Sequence, residues 1–424
     1  MYSQSAWLLN SILAGASKRT IWKSPENFGA VGRPESTLPS AGKPGIGRIR
    51  LANIGGVAMN SSALIPLVFL TAAYSAQAAE QSYQTNPTEP PVSHFQGSCE
   101  SDPDGTKFAA TACYTDYYPG DSLYGRDYRP PTCLKKTVTK RQKEVLAKIY
   151  SRAPDYLQAK LCRLTQLFVT RPAPWGPVGW GFWEGPDKPP GKGVYLAISA
   201  RELERKKSIA DAENEIADQL LGLADGGRRR GPRVARLRAE DSDPVLTILS
   251  AVAHEMGHVL LADANADGQN IDHPRRRVSG PPRNACFEDA FLGTSWNADA
   301  FHKNMRRWAD FGFQNHNIQK NPDSEFDLER VRSAVDARRF DVASDAIENV
   351  YRNKEFVSLQ AKVAPEEDLA ETYRYKVLVD ASPNKPIIFR LGDREINARD
   401  LLGSEIPAKK VQCLRDLGFL TAQP

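Results

Sequence analysis

Histidine is scarce in this chain: six occur in 424 residues, and methionine is rarer still at four. None of the six cysteines stands in a Cys-x-x-Cys pair, which argues against a zinc site built on cysteine. Long apolar runs are missing as well. The stretch from Ala63 to Ala73 is too short to span a bilayer, and no other segment reads as apolar enough to do so. Net charge is absent where it would matter. The formal +5 resides in residues 1–58, where seven Lys and Arg face two acids; residues 59–79 are uncharged and residues 80–424 are neutral. The body therefore has no global basic bias toward nucleic acid or a membrane surface.

Residues 59–78 read as a secretory signal peptide, an apolar run followed by the small-x-small pattern Ala76-Gln77-Ala78. Residues 1–58 are then a leader, or an extension ahead of a true start at Met59. The expected location is secreted or periplasmic, with no stable membrane insertion after signal cleavage. All six cysteines (Cys99, Cys113, Cys133, Cys162, Cys286, Cys413) lie beyond the cleavage point, and their number is even. An exported chain of this kind is expected to pair them in disulfides, with fifteen connectivities left open.

Against this background, His254-Glu255-Met256-Gly257-His258 holds two of the few histidines. Imidazoles four apart on a helix face the same way and can close on one Zn2+, with Glu255 beside them as a base. The alternative is a pair of core histidines bonded to carbonyls. Asp243-Pro244 predicts an N-cap with proline at the first helical position. From Val245 to Leu261 apolar residues cover nearly the whole circumference, so the helix is expected to be a buried rod. His254, Glu255 and His258 are almost its only polar side chains after Ser250, and buried polar groups need partners.

Residues 79–135, rich in Pro, Gly, Tyr and Asp, read as an irregular segment tied by disulfides. Regular structure is expected in residues 136–424: helices over 137–151 and 154–161, strands at 167–170 and 193–199 in one sheet, and a charged helical stretch over 200–223. Further helical regions are expected at 286–313, 331–350 and 365–378, then a strand at 386–391 and a closing helix around 411–414. The arginine runs Arg228-Arg229-Arg230 and Arg275-Arg276-Arg277 read as solvated loops.

A catalytic zinc needs three protein ligands and one open position. Asp263, His273, Glu288, His302, His316 and Glu367 are candidates for the third. The pattern HExxHxxGxxH is excluded, because Leu261 and Ala264 stand where its Gly and His would fall. Glu288 is near in sequence and next to Cys286. Glu367 and Glu371 stand four apart on a helix, so one can bind metal while the other fixes a ligand histidine.

The pairing of His254-Glu255-Met256-Gly257-His258 with Glu367-Asp368-Leu369-Ala370-Glu371-Thr372-Tyr373-Arg374 resembles the gluzincin metallopeptidases, in particular the catalytic domain of the anthrax lethal factor family. The resemblance covers only these two segments. It implies an α+β, zincin-like fold, with a small mixed sheet packed on a buried active-site helix and a mainly helical C-terminal lobe. It also implies His254, His258 and Glu367 as ligands of one Zn2+, Glu255 as base and Glu371 behind a ligand histidine; Glu288, from its place in the sequence, is the alternative ligand. The gap from His258 to Glu367 is longer than in that family, so residues of about 263–350 are expected to form an insertion. The family places an oxyanion-stabilising tyrosine shortly before the glutamate helix. Here the nearby positions read Leu359-Gln360-Ala361, leaving Tyr373 and Tyr351 as substitutes. The edge strand that such sites present above the metal falls on Val194, Tyr195 and Leu196.

The expected function is thus an exported zinc peptidase acting on a peptide or protein, with no nucleic-acid partner. The alternative is an exported binding or structural protein with a non-catalytic zinc site.

Overall fold

The computed structural model describes residues 95, 99–116, 132–171, 178–185, 191–221, 223, 234–239, 243–264, 285–296 and 328–421. The leader, the signal peptide, His273, His302, His316, both arginine runs and most of the expected insertion lie outside these residues.

A short helix α1 (Thr106–Ala110) leads into β1 (Ala112–Thr115). Thr139 and Gln142 form a reciprocal capping box that starts α2 (Lys140–Arg152), and α3 (Asp155–Leu161) follows. Strands β2 (Gln166–Thr170), β3 (Val178–Gly185) and β4 (Gly191–Ser199) complete a four-stranded sheet ordered β1-β2-β4-β3. Both β1 and β4 run parallel to β2, and only β3 is antiparallel to its neighbour. Residues 112–115, expected to be irregular, thus belong to the sheet. Sequence reading missed them because four residues carry too little alternation to register as a strand.

The sheet also corrects the expected edge strand. Val194, Tyr195 and Leu196 lie on β4, which is paired on both sides, so its backbone groups are already used. Among the described strands the sheet's two edges are β1 and β3. Alternation sends Val194, Leu196 and Ile198 into the main core, while Tyr195 packs edge-on against Phe168 on the opposite face at 5.6 Å.

Beyond the sheet, the charged stretch divides into α4 (Ala200–Glu204) and α5 (Ile209–Leu220), the second opened by a Ser208–Asp211 capping box. A short strand β5 (Leu237–Ala239) precedes α6 (Pro244–Ala264). Asp243 Oδ1 accepts from the backbone N–H of Val245 and of Leu246, both at 3.1 Å, which fixes the start of α6 where the Asp-Pro pair predicts it. Residues 244–261 are long and apolar enough to cross a membrane by composition, a property the sequence reading denied to every segment here, yet 83% of this window is buried inside the fold. Its apolar surface is covered by α2, α5 and β3, and by a second central helix further along the chain.

The remaining described elements build the C-terminal half. A helical run, Ala285–Phe287, passes through a π turn at Glu288–Leu292 into Gly293–Ser295. The expected helix over 331–350 is two, α7 (Leu328–Asp336) and α8 (Phe340–Asn353), separated where Arg338 adopts φ 62°. A 3-10 turn at Gln360–Lys362 enters α9 (Pro365–Asp380). Then come β6 (Ile388–Leu391), β7 (Arg394–Asn397), α10 (Ala398–Leu402) and α11 (Glu405–Asp416). β6 pairs antiparallel with both β5 and β7, making a second sheet. Mixed α and β structure is therefore plain at the level of class.

The six cysteines form three disulfides: Cys99–Cys162, Cys113–Cys133 and Cys286–Cys413. The first two tie the N-terminal segment to α3 and across its own loop, and the third ties the π-turn region to α11. Such cross-links belong with an oxidising environment.

Candidate metal centre

α6 and α9 cross at close range because Gly257 has no side chain. A Cβ built there would stand 2.8 Å from Ala370 Cα, closer than atoms in contact tolerate. This contact brings the histidine pair of one helix against the glutamates of the other.

His254, His258 and Glu367 are all buried, and each offers a ligand atom within 4.8 Å of the other two. The two Nε2 atoms stand 3.2 Å apart. Glu367 sets Oε2 at 3.5 Å from His254 Nε2 and Oε1 at 3.4 Å from His258 Nε2. Two imidazole nitrogens and a carboxylate oxygen converging on one point can hold a metal ion, and the ring orientations fit that use. His254 Nδ1 is bonded to Glu371 Oε1 at 2.6 Å, which turns Nε2 toward Glu367. Among the described residues this is the one group of three or more His, Cys, Asp or Glu with such geometry.

The charges around the group favour a cation. Burial pushes the His254 ring toward neutrality, but the Glu371 hydrogen bond and the carboxylates of Glu371, Glu367 and Glu255 outweigh it and raise its pKa to about 9. Burial raises Glu371 in turn, and Arg374, His254 and Ser358 overcome it, holding this carboxyl down at about 2. Glu367 is likewise lowered, with its own burial opposed by His258 and His254.

Behind His254 runs a buried chain of ionic contacts. Arg374 pairs with Glu371 and with Glu213 of α5, and donates to Ser250 Oγ at 3.1 Å. Ser358 Oγ donates to Glu371 and accepts from the Ala361 N–H at 3.1 Å, so the turn before α9 is pinned to the same carboxylate. On the other side of Glu367, Asp368 Oδ2 receives Lys410 Nζ of α11 at 2.7 Å and Trp296 Nε1 at 3.1 Å.

The other sequence candidates lie elsewhere. Glu288 is half-buried on the π turn and does not join the group. Tyr373 is fully buried, but a helix advances about 100° per residue, so it points roughly 120° away from Glu367. Its ring packs edge-on against Tyr156 at 6.1 Å. Tyr351 is buried behind the site, where burial and the charge of Glu213 push its hydroxyl pKa well up. Neither tyrosine reaches the ligand atoms from these positions.

Gln360 does reach them. Its Nε2 donates to Glu367 Oε2 at 2.9 Å and lies 3.3 Å from His254 Nε2. Sequence reading passed over this residue, although it is a lone amide in the apolar run Leu359-Gln360-Ala361. Arg374 closes the segment that carries the resemblance but has no role assigned from sequence; its signal is the seven-residue spacing from Glu367, which puts both on one face of α9.

Comparison with protein-family models, curated proteins and solved structures finds no match to this chain.

Proposed function

We propose that this chain is an exported zinc-dependent peptidase with a zincin-like catalytic domain, in which His254, His258 and Glu367 hold one Zn2+ and Glu255 is the general base. The observation that carries the reading is the buried convergence of two imidazole nitrogens and one carboxylate, with Glu255 next to a ligand on the same helix. Three protein ligands of this type belong to a zinc site that keeps a position open for chemistry, whereas a structural site is closed by four. A mixed sheet with an antiparallel edge strand, lying alongside the histidine helix, supports the zincin-like assignment.

Bound zinc would supply Lewis acidity, which lets a water lose its proton near neutral pH. The rest falls to side chains and backbone. Glu255, only 6% exposed, takes the proton from the attacking water and returns it to the leaving amine. Glu371 keeps the His254 ring in the orientation that presents Nε2. The outer edge of β3 offers backbone donors and acceptors to an extended peptide by strand addition, the role the sequence assigned to β4.

The test is metal analysis and peptide hydrolysis on the full chain beside Glu255→Gln and Glu367→Gln. Glu255→Gln is expected to keep one zinc per chain and to lose about 10²- to 10⁴-fold in turnover, while Glu367→Gln emerges empty. A wild-type chain that holds zinc but cleaves no peptide in a broad library would overturn the reading and leave a non-catalytic zinc protein.

A further inference from the structure

We propose that Gln360 is a catalytic residue of this site, donating a side-chain N–H to the substrate carbonyl oxygen as negative charge builds on it. The inference rests on the peptidase reading above and adds a residue that neither motif contains.

Three observations carry it. First, the carboxamide lies among the ligand atoms themselves, 2.9 Å from Glu367 Oε2 and 3.3 Å from His254 Nε2. Second, His254 Nε2 is an atom whose single ring lone pair a bound cation would claim. An NH2 group has two N–H donors. With His254 Nε2 committed to a cation, the N–H facing it would lose its acceptor and remain beside the reacting centre, while the other stays on Glu367 Oε2. Third, the residue is held in place. Ser358 and the Ala361 N–H tie the turn to Glu371, which also orients His254. Gln360 is 9% exposed, whereas Ser358 and Ala361 are fully buried.

The step balances without further reactants. The water oxygen bonds to the carbonyl carbon, its proton passes to Glu255, and the C=O π pair moves onto the carbonyl oxygen, which accepts the Gln360 N–H. When the C–N bond breaks, that pair returns to the carbonyl and the amine leaves with the proton from Glu255. A donor fixed before the reaction stabilises the developing charge without reorganising.

The decisive variant is Gln360→Met, which keeps length and removes both N–H groups. Expected are an unchanged zinc content and melting temperature, a loss of kcat of about 10²- to 10³-fold with KM altered less than threefold, and a matching loss of affinity for a phosphinic peptide that mimics the tetrahedral state. Binding of a simple thiol, which needs only the metal, should stay as in the wild type. Full activity in Gln360→Met with zinc retained sinks the proposal and leaves the peptidase reading intact. Loss of zinc would also overturn it, by assigning Gln360 to holding Glu367 alone. Should Gln360→Met not fold, Gln360→Ala carries the same comparison. Inactivity of the zinc-loaded wild type removes the parent reading instead.

Discussion

Glu371 determines which nitrogen of His254 is available. Its Oε1 takes Nδ1, and Ser358 and Arg374 occupy its other oxygen, so the carboxylate cannot swing away from the ring. Replacing it by glutamine keeps the shape but removes the charge that Arg374 and His254 depend on. Glu371→Gln should weaken zinc binding by about 10- to 100-fold, measured by competition with a chromophoric chelator. Unchanged affinity would mean that the ring is oriented by packing alone. Gly257 acts at the same scale through what it omits, since the missing Cβ lets the two ligand-bearing helices touch. Sequence reading treated that position only as a spacer in the motif, because nothing local announces which backbone will lie against it.

At the scale of elements, α9 departs from its sequence pattern. Leu369, Ala370, Tyr373 and Val377 predict one apolar face, yet nearly every side chain from Pro365 to Tyr375 is buried, including Glu366, Glu367, Asp368, Glu371 and Arg374. The acids of the first turn look like ordinary helix-start residues. Only tertiary partners show that they serve different ends: Glu367 meets the histidines, Asp368 meets Lys410, and burial pushes the Glu366 carboxyl up to about 7. Lys410 is itself fully buried, its ammonium also bonded to the Glu355 carbonyl at 3.0 Å and 4.5 Å from the Phe356 ring. Lys410→Met leaves Asp368 buried without its counter-charge and should cost about 3–5 kcal/mol in urea denaturation. Pairing it with Asp368→Leu should recover much of that loss. If the double variant is no more stable than the single one, the contact is not the source of the effect.

At the scale of the whole molecule, Cys286–Cys413 joins residues 127 apart and ties α11 to the π-turn region that also supplies Trp296 to Asp368. A cross-link over so long a loop restricts the unfolded chain strongly. Replacing both cysteines by serine is expected to lower stability by roughly 2–5 kcal/mol, read as a fall in melting temperature. Zinc content should survive at low temperature, because no cysteine belongs to the ligand group. Loss of metal in the folded variant would contradict this separation of roles.

The histidine pair and the start of the helix that carries it were legible in the sequence, because each depends on neighbours within four residues: a helix places i and i+4 on one face whatever surrounds it. The resemblance pointed to Glu367, but periodicity alone left Glu288 beside it. Tertiary structure separated the two by bringing α9 against α6 at Gly257 and leaving Glu288 on its own turn. Disulfide pairing, the position of β4 inside the sheet and the approach of Gln360 to the ligands were decided in the same way. Each is a contact between segments far apart in the chain, and such contacts are set by how whole surfaces pack, which no local spacing records.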